Sequence, residues 1–223
     1  MRNLIKTGKI QPKKSTEIRH SKIGLGFEKL DRDVFDPEKA YDKVCDCGVK
    51  FARIQSGCPP IFSDEEKAAW ANYVKAVAER YKGKVNYFEV WNEPDGIWCW
   101  KHGPNATELG KFTVATAKAV KEVRPDAKII GGVICARALD FLNTALKTGM
   151  ADLIDYVSLH EYTADERLVF EKVASFRALI KHYNPNIGII QGESGSQSRG
   201  DGNGALKSGA WTEEIQAKQL ARH

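Results

Sequence analysis

Short apolar segments alternate with longer amphipathic ones along this chain. The apolar segments are rich in β-branched and aromatic residues, and they predict six β-strands at 22–27, 49–55, 85–92, 128–134, 154–162 and 187–191. The stretches between them predict helices at 36–46, 64–82, 105–123, 139–148 and 166–183, with a last helix from about Thr212. Strands that alternate with helices in this way predict an α/β fold built on a parallel sheet.

Polar side chains collect where the predicted strands end. The set comprises Arg53, Asn92, Glu93, His160, Tyr162 and Glu193. This layout is typical of a TIM (β/α)8-type barrel, in which the chemistry takes place at the C-terminal ends of the strands. A doubly wound sheet is the alternative, but it would normally carry a phosphate-binding glycine turn after its first strand. Gly24 and Gly26 lie inside that strand instead.

The composition fits one ordinary globular domain. Of the 223 residues, 42% are hydrophobic and 28% are charged, which is enough apolar material for a single-domain core. We therefore expect residues 22–223 to form the barrel and residues 1–21 to form a basic leader that is flexible or strand-like. The leader contributes to the net charge of +5 but has no interleaved aromatic residues, so a nucleic-acid partner is not expected.

Membrane, metal and cofactor partners are not expected either. No apolar run is long enough to span a bilayer, and the N-terminus lacks the apolar segment of a secretory signal, so we expect a cytoplasmic protein. The five cysteines are odd in number and irregularly spaced, which favours reduced thiols. Cys45 and Cys47 fall inside a predicted helix without a second ligand pair, which disfavours a metal site.

Two glutamates are the strongest candidates for chemistry. Glu93 follows the third predicted strand and Glu193 follows the sixth, and each alone could be a surface acid at the start of a loop. A surface position does not explain the two glutamates taken together, because both follow strongly apolar strands and have small or polar neighbours. Hydrolysis of a glycosidic bond needs two such carboxyl groups flanking the bond. The pair therefore points to a glycoside hydrolase.

Three segments and one further residue resemble motifs of the clan A retaining glycoside hydrolases. Residues 91–94, Trp-Asn-Glu-Pro, resemble the Asn-Glu-Pro signature at the end of strand four, and residues 192–195, Gly-Glu-Ser-Gly, resemble the nucleophile segment of strand seven. Residues 158–162 are similar to the His-x-Tyr of strand six, and Arg53 is similar to the strand-two arginine. Within the clan, the chain is most similar to family 39, which includes β-xylosidases and related β-glycosidases. The resemblance covers about residues 22–222.

The resemblance implies a double-displacement mechanism on β-glycosidic bonds of plant- or microbe-derived saccharides. Glu93 would be the general acid and base, and Glu193 would be the nucleophile. Arg53 and Tyr162 would keep Glu193 ionised. No cofactor is implied.

The resemblance also implies that other residues near the strand ends bind the sugar. Asn92 would donate to the sugar 2-hydroxyl, and His160 would hold Glu93 or a substrate hydroxyl in place, although it could instead be a hydrogen-bonded core histidine. Trp98 and Trp100, in the loop beyond Glu93, are expected to stack on sugars. Trp70, at helical spacing from other apolar residues, is expected to pack in the core.

The chain departs from a complete barrel in two places. Only one predicted helix lies between the second and third predicted strands, and the sequence stops within the helix that would precede an eighth strand. The regions of strands three and eight are therefore expected to be missing. Either residues of the natural protein are lacking, or the chain is a fragment whose open sheet edges are covered by a partner or by self-association.

Two other functions stay open from the sequence. One is a non-catalytic carbohydrate-binding or scaffold protein on a degraded or fragmentary barrel. The other is an inverting hydrolase, in which the two carboxyl groups would stand further apart. The sequence does not name the sugar or the linkage, and it leaves exo and endo action equally open.

Overall fold

The structure is a computed structural model that describes residues 24–26, 51–54, 59, 61, 63–100, 103–135, 139–202, 204–207 and 210–222. Its strands are β1 (Gly24–Gly26), β2 (Phe51–Ile54), β3 (Tyr87–Val90), β4 (Lys128–Ile134), β5 (Tyr156–His160) and β6 (Gly188–Glu193). Its α-helices are α1 (Asp64–Arg80), α2 (Ala106–Val123), α3 (Leu139–Leu146), α4 (Glu166–Tyr183) and α5 (Glu213–Arg222). The predicted alternation of strands and helices is confirmed in this part of the chain. The predicted leader 1–21, the predicted helix 36–46, and Cys45 and Cys47 lie outside it.

The six strands form one parallel sheet in which every strand pairs with its neighbours in chain order. A doubly wound sheet would reverse its strand order partway, and this sheet does not. The parallel α/β fold is therefore confirmed, with the strand order of a barrel wall. Because all strands run the same way, their C-terminal ends lie along one edge of the sheet.

The helices begin where their capping residues predict. Ser63 and Glu66 form a capping box at the start of α1, with Ser63 Oγ accepting from the Glu66 N–H at 3.1 Å and Glu66 Oε2 accepting from the Ser63 N–H at 3.3 Å. Asn105 and Asp165 cap α2 and α4 with their side-chain oxygens, which accept from the Glu108 and Arg167 N–H groups. None of the helices among the described residues is both long and apolar enough to cross a bilayer.

A cluster of four aromatic side chains fills the core between α1, α2 and the end of β3. Trp70, Trp91, Trp100 and Phe112 pack with ring centroids 5.2–6.2 Å apart, mostly edge to face. The core position predicted for Trp70 is confirmed. The prediction that Trp100 stacks on sugars is wrong, because the ring has no exposed surface and is enclosed by Trp91 and Phe112.

Asp155 ties β4 and β5 together at the amino-terminal edge of the sheet. Its carboxylate accepts from Lys128 Nζ at 2.6 Å and from the Ile129 N–H at 2.9 Å, and Lys121 Nζ lies 3.5 Å away. Burial alone would raise the pKa of Asp155. The hydrogen bonds from Lys128 and Ile129 and the nearby lysine charges more than offset that effect, so the pKa lies below its ordinary value of 3.8.

We expect Asp155→Asn to lower the free energy of unfolding by about 1–3 kcal/mol at neutral pH, because the amide lacks the charge that these donors stabilise. The folded-state pKa lies below the unfolded one. The stabilisation is therefore fully present above the unfolded-state pKa and is lost as the pH falls through the folded-state pKa. Urea unfolding of the wild-type protein and of Asp155→Asn should give free energies of unfolding whose difference shrinks as the pH falls from about 6 to about 3.

The control for this measurement is Asp201→Asn. Asp201 pairs with Arg199 at 2.6 Å, but both side chains are largely exposed. We expect this change to stay within about 0.5 kcal/mol at every pH. If the loss in free energy of unfolding caused by Asp155→Asn did not depend on pH, the role assigned to the ionised carboxylate would be wrong.

Candidate active site

A cleft opens at the C-terminal edge of the sheet, where β3, β5 and β6 end. It contains ≈ 1070 Å³ of empty space that is continuous with solvent, and its lining includes Glu93, Trp98, Cys135, His160 and Tyr162. Four of these five were singled out from the sequence. Glu193 ends β6 beside the cleft and approaches the same group of side chains.

A sharp turn after β3 aims Glu93 at the cleft. Trp91 and Glu93 both adopt left-handed backbone conformations, with φ of 64° and 41°, which residues with a side chain rarely do. Each such conformation costs on the order of 1–3 kcal/mol, and the surroundings must hold it in place. Here the buried Trp91 ring provides that support, since its indole N–H donates to the Cys99 carbonyl oxygen at 2.9 Å.

The two candidate carboxylates and one histidine converge at the centre of the site. One oxygen of Glu93, one oxygen of Glu193 and a ring nitrogen of His160 all lie within 4.8 Å of one another. His160 Nδ1 lies 2.8 Å from Glu93 Oε1 and 3.5 Å from Glu193 Oε2, and its side chain is only 1% exposed. The histidine thus stands between the two acids and touches Glu93 directly.

The β5–β6 ladder places Glu193. The strand β6 continues two residues beyond its predicted end at Gln191, because His160 pairs with Glu193 in the register of the two strands. The Tyr162 hydroxyl then donates to Glu193 Oε2 at 2.7 Å. Glycine precedes Glu193 at a crowded position, since a Cβ at Gly192 would lie 2.1 Å from Ser158 Oγ and would force that side chain to move.

Trp98 covers the other oxygen of Glu93. Its indole N–H donates to Glu93 Oε2 at 2.5 Å, while 61% of the residue remains exposed. The ring lies against the backbone of Gly96, where a Cβ would come within 2.3 Å of Trp98 Cε2. The indole therefore combines a polar contact to Glu93 with a large aromatic surface at the cleft.

Two predicted site residues are not brought into this group. Asn92 is buried, and its Nδ2 lies 3.4 Å from Cys99 Sγ. Among the described residues its Oδ1 has no hydrogen-bond partner. Arg53 lies in β2, where its backbone is in register with Glu89 of β3, and its side chain is outside the described part of the structure. The roles predicted for Asn92 and Arg53 stay predictions.

The structure adds three residues that the sequence reasoning missed. Cys135 follows β4 directly and lines the cleft, so the rule that polar residues gather at strand ends could have found it. Asp95 accepts from the Cys135 N–H at 3.1 Å. Lys172 occupies an apolar stripe of α4 between Val169 and Phe176, and a charge at such a position is the signal for a buried partner.

The central triad also has the composition of a metal site. Two carboxylates and an imidazole with donor atoms this close could hold a cation. The same atoms are those that a pair of catalytic carboxyl groups would use for attack and proton transfer.

Three comparisons place the chain among known proteins. The family model described as glycosyl hydrolases family 39 matches residues 57–178. Over 106 residues the chain is 35% identical to a β-xylosidase from Geobacillus stearothermophilus. That alignment covers 43% of this chain and 20% of the relative, so the chain spans about one fifth of the curated protein that it matches.

The fold is similar to those of solved glycosidases. A glucosidase from Croceicoccus marinus matches with a TM-score of 0.59 and 16% identity, over 75% of this chain and 39% of that one. A family 39 β-xylosidase from Caulobacter crescentus matches with a TM-score of 0.58 and 23% identity, over 75% of this chain and 43% of that one. At these identities the structural matches establish the fold.

Proposed function

The chain belongs to glycosyl hydrolase family 39, and from this membership we propose that it cleaves β-glycosidic bonds with retention, using Glu193 as nucleophile and Glu93 as general acid and base. The observation that carries the proposal is that one oxygen of the Glu93 carboxylate lies within 4.8 Å of one oxygen of the Glu193 carboxylate. Retaining enzymes hold their carboxyl groups about 5–5.5 Å apart, whereas inverting enzymes need about 6.5–9.5 Å to admit a water molecule between them. The short separation supports direct attack by one carboxylate.

The first half-reaction forms a covalent intermediate. A Glu193 carboxylate oxygen forms a bond to the anomeric carbon while the glycosidic C–O bond breaks, and its electron pair goes to the departing oxygen. Glu93 donates its proton to that oxygen. The Tyr162 hydroxyl donates to Glu193 Oε2 at 2.7 Å and so orients the nucleophile before attack.

The second half-reaction returns both acids to their starting states. The Glu93 carboxylate takes a proton from water, the water oxygen bonds to the anomeric carbon, and the ester bond to Glu193 breaks with its electrons returning to the carboxylate. His160 contacts Glu93 at 2.8 Å and approaches Glu193 at 3.5 Å, so it orients the acid in both half-reactions.

The exposed face of Trp98 supports a saccharide substrate. An indole at the rim of a cleft is a suitable surface for the apolar face of a sugar ring. The relatives that the chain matches are named as β-xylosidase and glucosidase, so β-xylosides and β-glucosides are the substrates to test first.

We propose in addition that the active protein contains more barrel wall than the six described strands. Within the described residues, β1 and β6 each pair with one neighbour, which leaves an open edge at either end of the sheet. The similar structures extend well beyond the matched part, since the chain covers 39–43% of them. Additional strands or a second copy of the chain would cover these edges.

The proposal is tested by incubating the protein with a panel of aryl β-glycosides and following the anomeric proton of the released sugar by NMR. We expect turnover with the β-anomer as the first product. An α-anomer as first product would overturn the retaining assignment. Sugar binding without release of the aryl group from any substrate would instead indicate a carbohydrate-binding protein.

A further inference from the structure

Lys172 is a buried lysine behind the site. It lies on α4, and its side chain is only 1% exposed. A buried ammonium group is costly unless it is paired and hydrogen-bonded. Lys172 Nζ donates to the His160 carbonyl oxygen at 2.6 Å and to the Cys135 carbonyl oxygen at 3.1 Å, and it forms an ion pair with Glu161 Oε2 at 3.4 Å.

One set of these contacts holds the exit of β5. His160 is the last residue of β5, and Glu161 and Tyr162 follow it directly. His160 contacts Glu93 and Tyr162 contacts Glu193, while Glu161 between them reaches Lys172. Lys172 therefore holds this segment through the His160 carbonyl oxygen and the Glu161 side chain, and Glu161 lines the same cleft as Glu93.

The other contact leads to the loop that carries Glu93. The Cys135 carbonyl oxygen accepts from Lys172, and the N–H of the same residue donates to Asp95 Oδ1 at 3.1 Å. Asp95 lies two residues after Glu93, and the Glu93 carbonyl oxygen accepts from the Gly96 N–H at 2.9 Å. A continuous path of hydrogen bonds thus runs from Lys172 through the end of β4 to the acid loop.

We infer that Lys172 is a positioning residue that sets the placement of Glu93 relative to Glu193. It is a single point of attachment for the segment that touches both acids and for the strand end that anchors the Glu93 loop. The inference rests on the proposed function, because the separation of the two carboxylates matters for turnover only if both take part. A misplacement of about 1 Å in such a site can cost about 10²-fold in rate.

The test compares Lys172→Met with Lys121→Met. Lys121 Nζ also donates to a backbone carbonyl oxygen, that of Ala127 at 2.5 Å, and lies near Asp155, but at the opposite edge of the sheet. We expect both variants to lose stability, and only Lys172→Met to lose kcat, by about 10²-fold with KM changed less than about threefold. Equal kcat values in the two variants would overturn the inference.

A crystal structure of each variant keeps the inference testable if the wild-type protein hydrolyses none of the glycosides. Such a lack of turnover would count against the proposed function and would leave the positioning role to the structural comparison. In the Lys172→Met structure we expect the distance between the Glu93 and Glu193 carboxylates to change by about 1 Å or more, and in the Lys121→Met structure we expect it to be unchanged. An unchanged distance in Lys172→Met would reject the positioning role whether or not the protein is a glycosidase.

Discussion

Replacement of Glu193 by glutamine is expected to lower kcat by on the order of 10⁵-fold while leaving the fold intact. The amide has nearly the same shape as the carboxylate and keeps an oxygen that can accept from the Tyr162 hydroxyl. It has no negative charge, however, and a neutral amide oxygen does not displace a leaving group from the anomeric carbon. The measurement is steady-state turnover of the best para-nitrophenyl glycoside, together with the unfolding midpoint.

A covalent label makes this result specific for the nucleophile. A 2-deoxy-2-fluoro glycoside with a dinitrophenyl leaving group should glycosylate the wild-type protein with release of dinitrophenolate, and mass spectrometry of the digest should find the sugar on the peptide that contains Glu193. Glu193→Gln should stay unlabelled. Glu171→Gln, at an exposed position of α4, is the matched control and should react like the wild type. A label on another residue, or wild-type turnover by Glu193→Gln, would contradict the assignment.

Replacement of Glu93 by alanine should give a loss that depends on the leaving group. For glycosides with poor leaving groups we expect kcat to fall by about 10⁴-fold, because no acid protonates the departing oxygen. For dinitrophenyl glycosides, which leave without protonation, the covalent intermediate should still form and then accumulate, since no base activates water. Burst kinetics with the two classes of substrate separate these steps.

Azide provides the rescue that a general acid and base predicts. Azide needs no deprotonation, so it should attack the intermediate in Glu93→Ala and restore turnover with a β-glycosyl azide as product. The same experiment with Glu93→Gln, which keeps the volume of the side chain, should show weaker rescue. A loss that was equal for all leaving groups and insensitive to azide would assign Glu93 to a structural role.

Part of this site follows from simple rules applied to the sequence. Parallel strands bring their C-terminal ends to one edge, so the approach of Glu93, His160, Tyr162 and Glu193 could be predicted once the strands were recognised. The bounds of α4 agree with its predicted extent because Asp165 caps it and Asn184 ends it. Capping residues and helix-ending residues act on a few neighbouring positions, so they can be recognised from the sequence alone.

The rest depends on contacts between distant parts of the chain. Trp98 and Trp100 are two residues apart in one loop, but one is exposed and the other fills the core against Phe112 of α2. Nothing near them in the sequence distinguishes the two. The left-handed backbone at Trp91 and Glu93 could not be predicted from a glycine, because neither residue is one. Tertiary contacts maintain this conformation.

The contact between Trp98 and Glu93 has a consequence for the reaction cycle. Each oxygen of Glu93 already has one partner, His160 Nδ1 or the Trp98 indole, so a glycosidic oxygen must share a Glu93 oxygen with one of them or take its place. His160 is enclosed, whereas Trp98 stands in solvent on one side and can rotate. A saccharide whose glycosidic oxygen takes the place of the indole would therefore break the contact between Trp98 and Glu93. Because Trp98 is the tryptophan that contacts Glu93, the change in tryptophan fluorescence on sugar binding that is lost in Trp98→Phe would report this event.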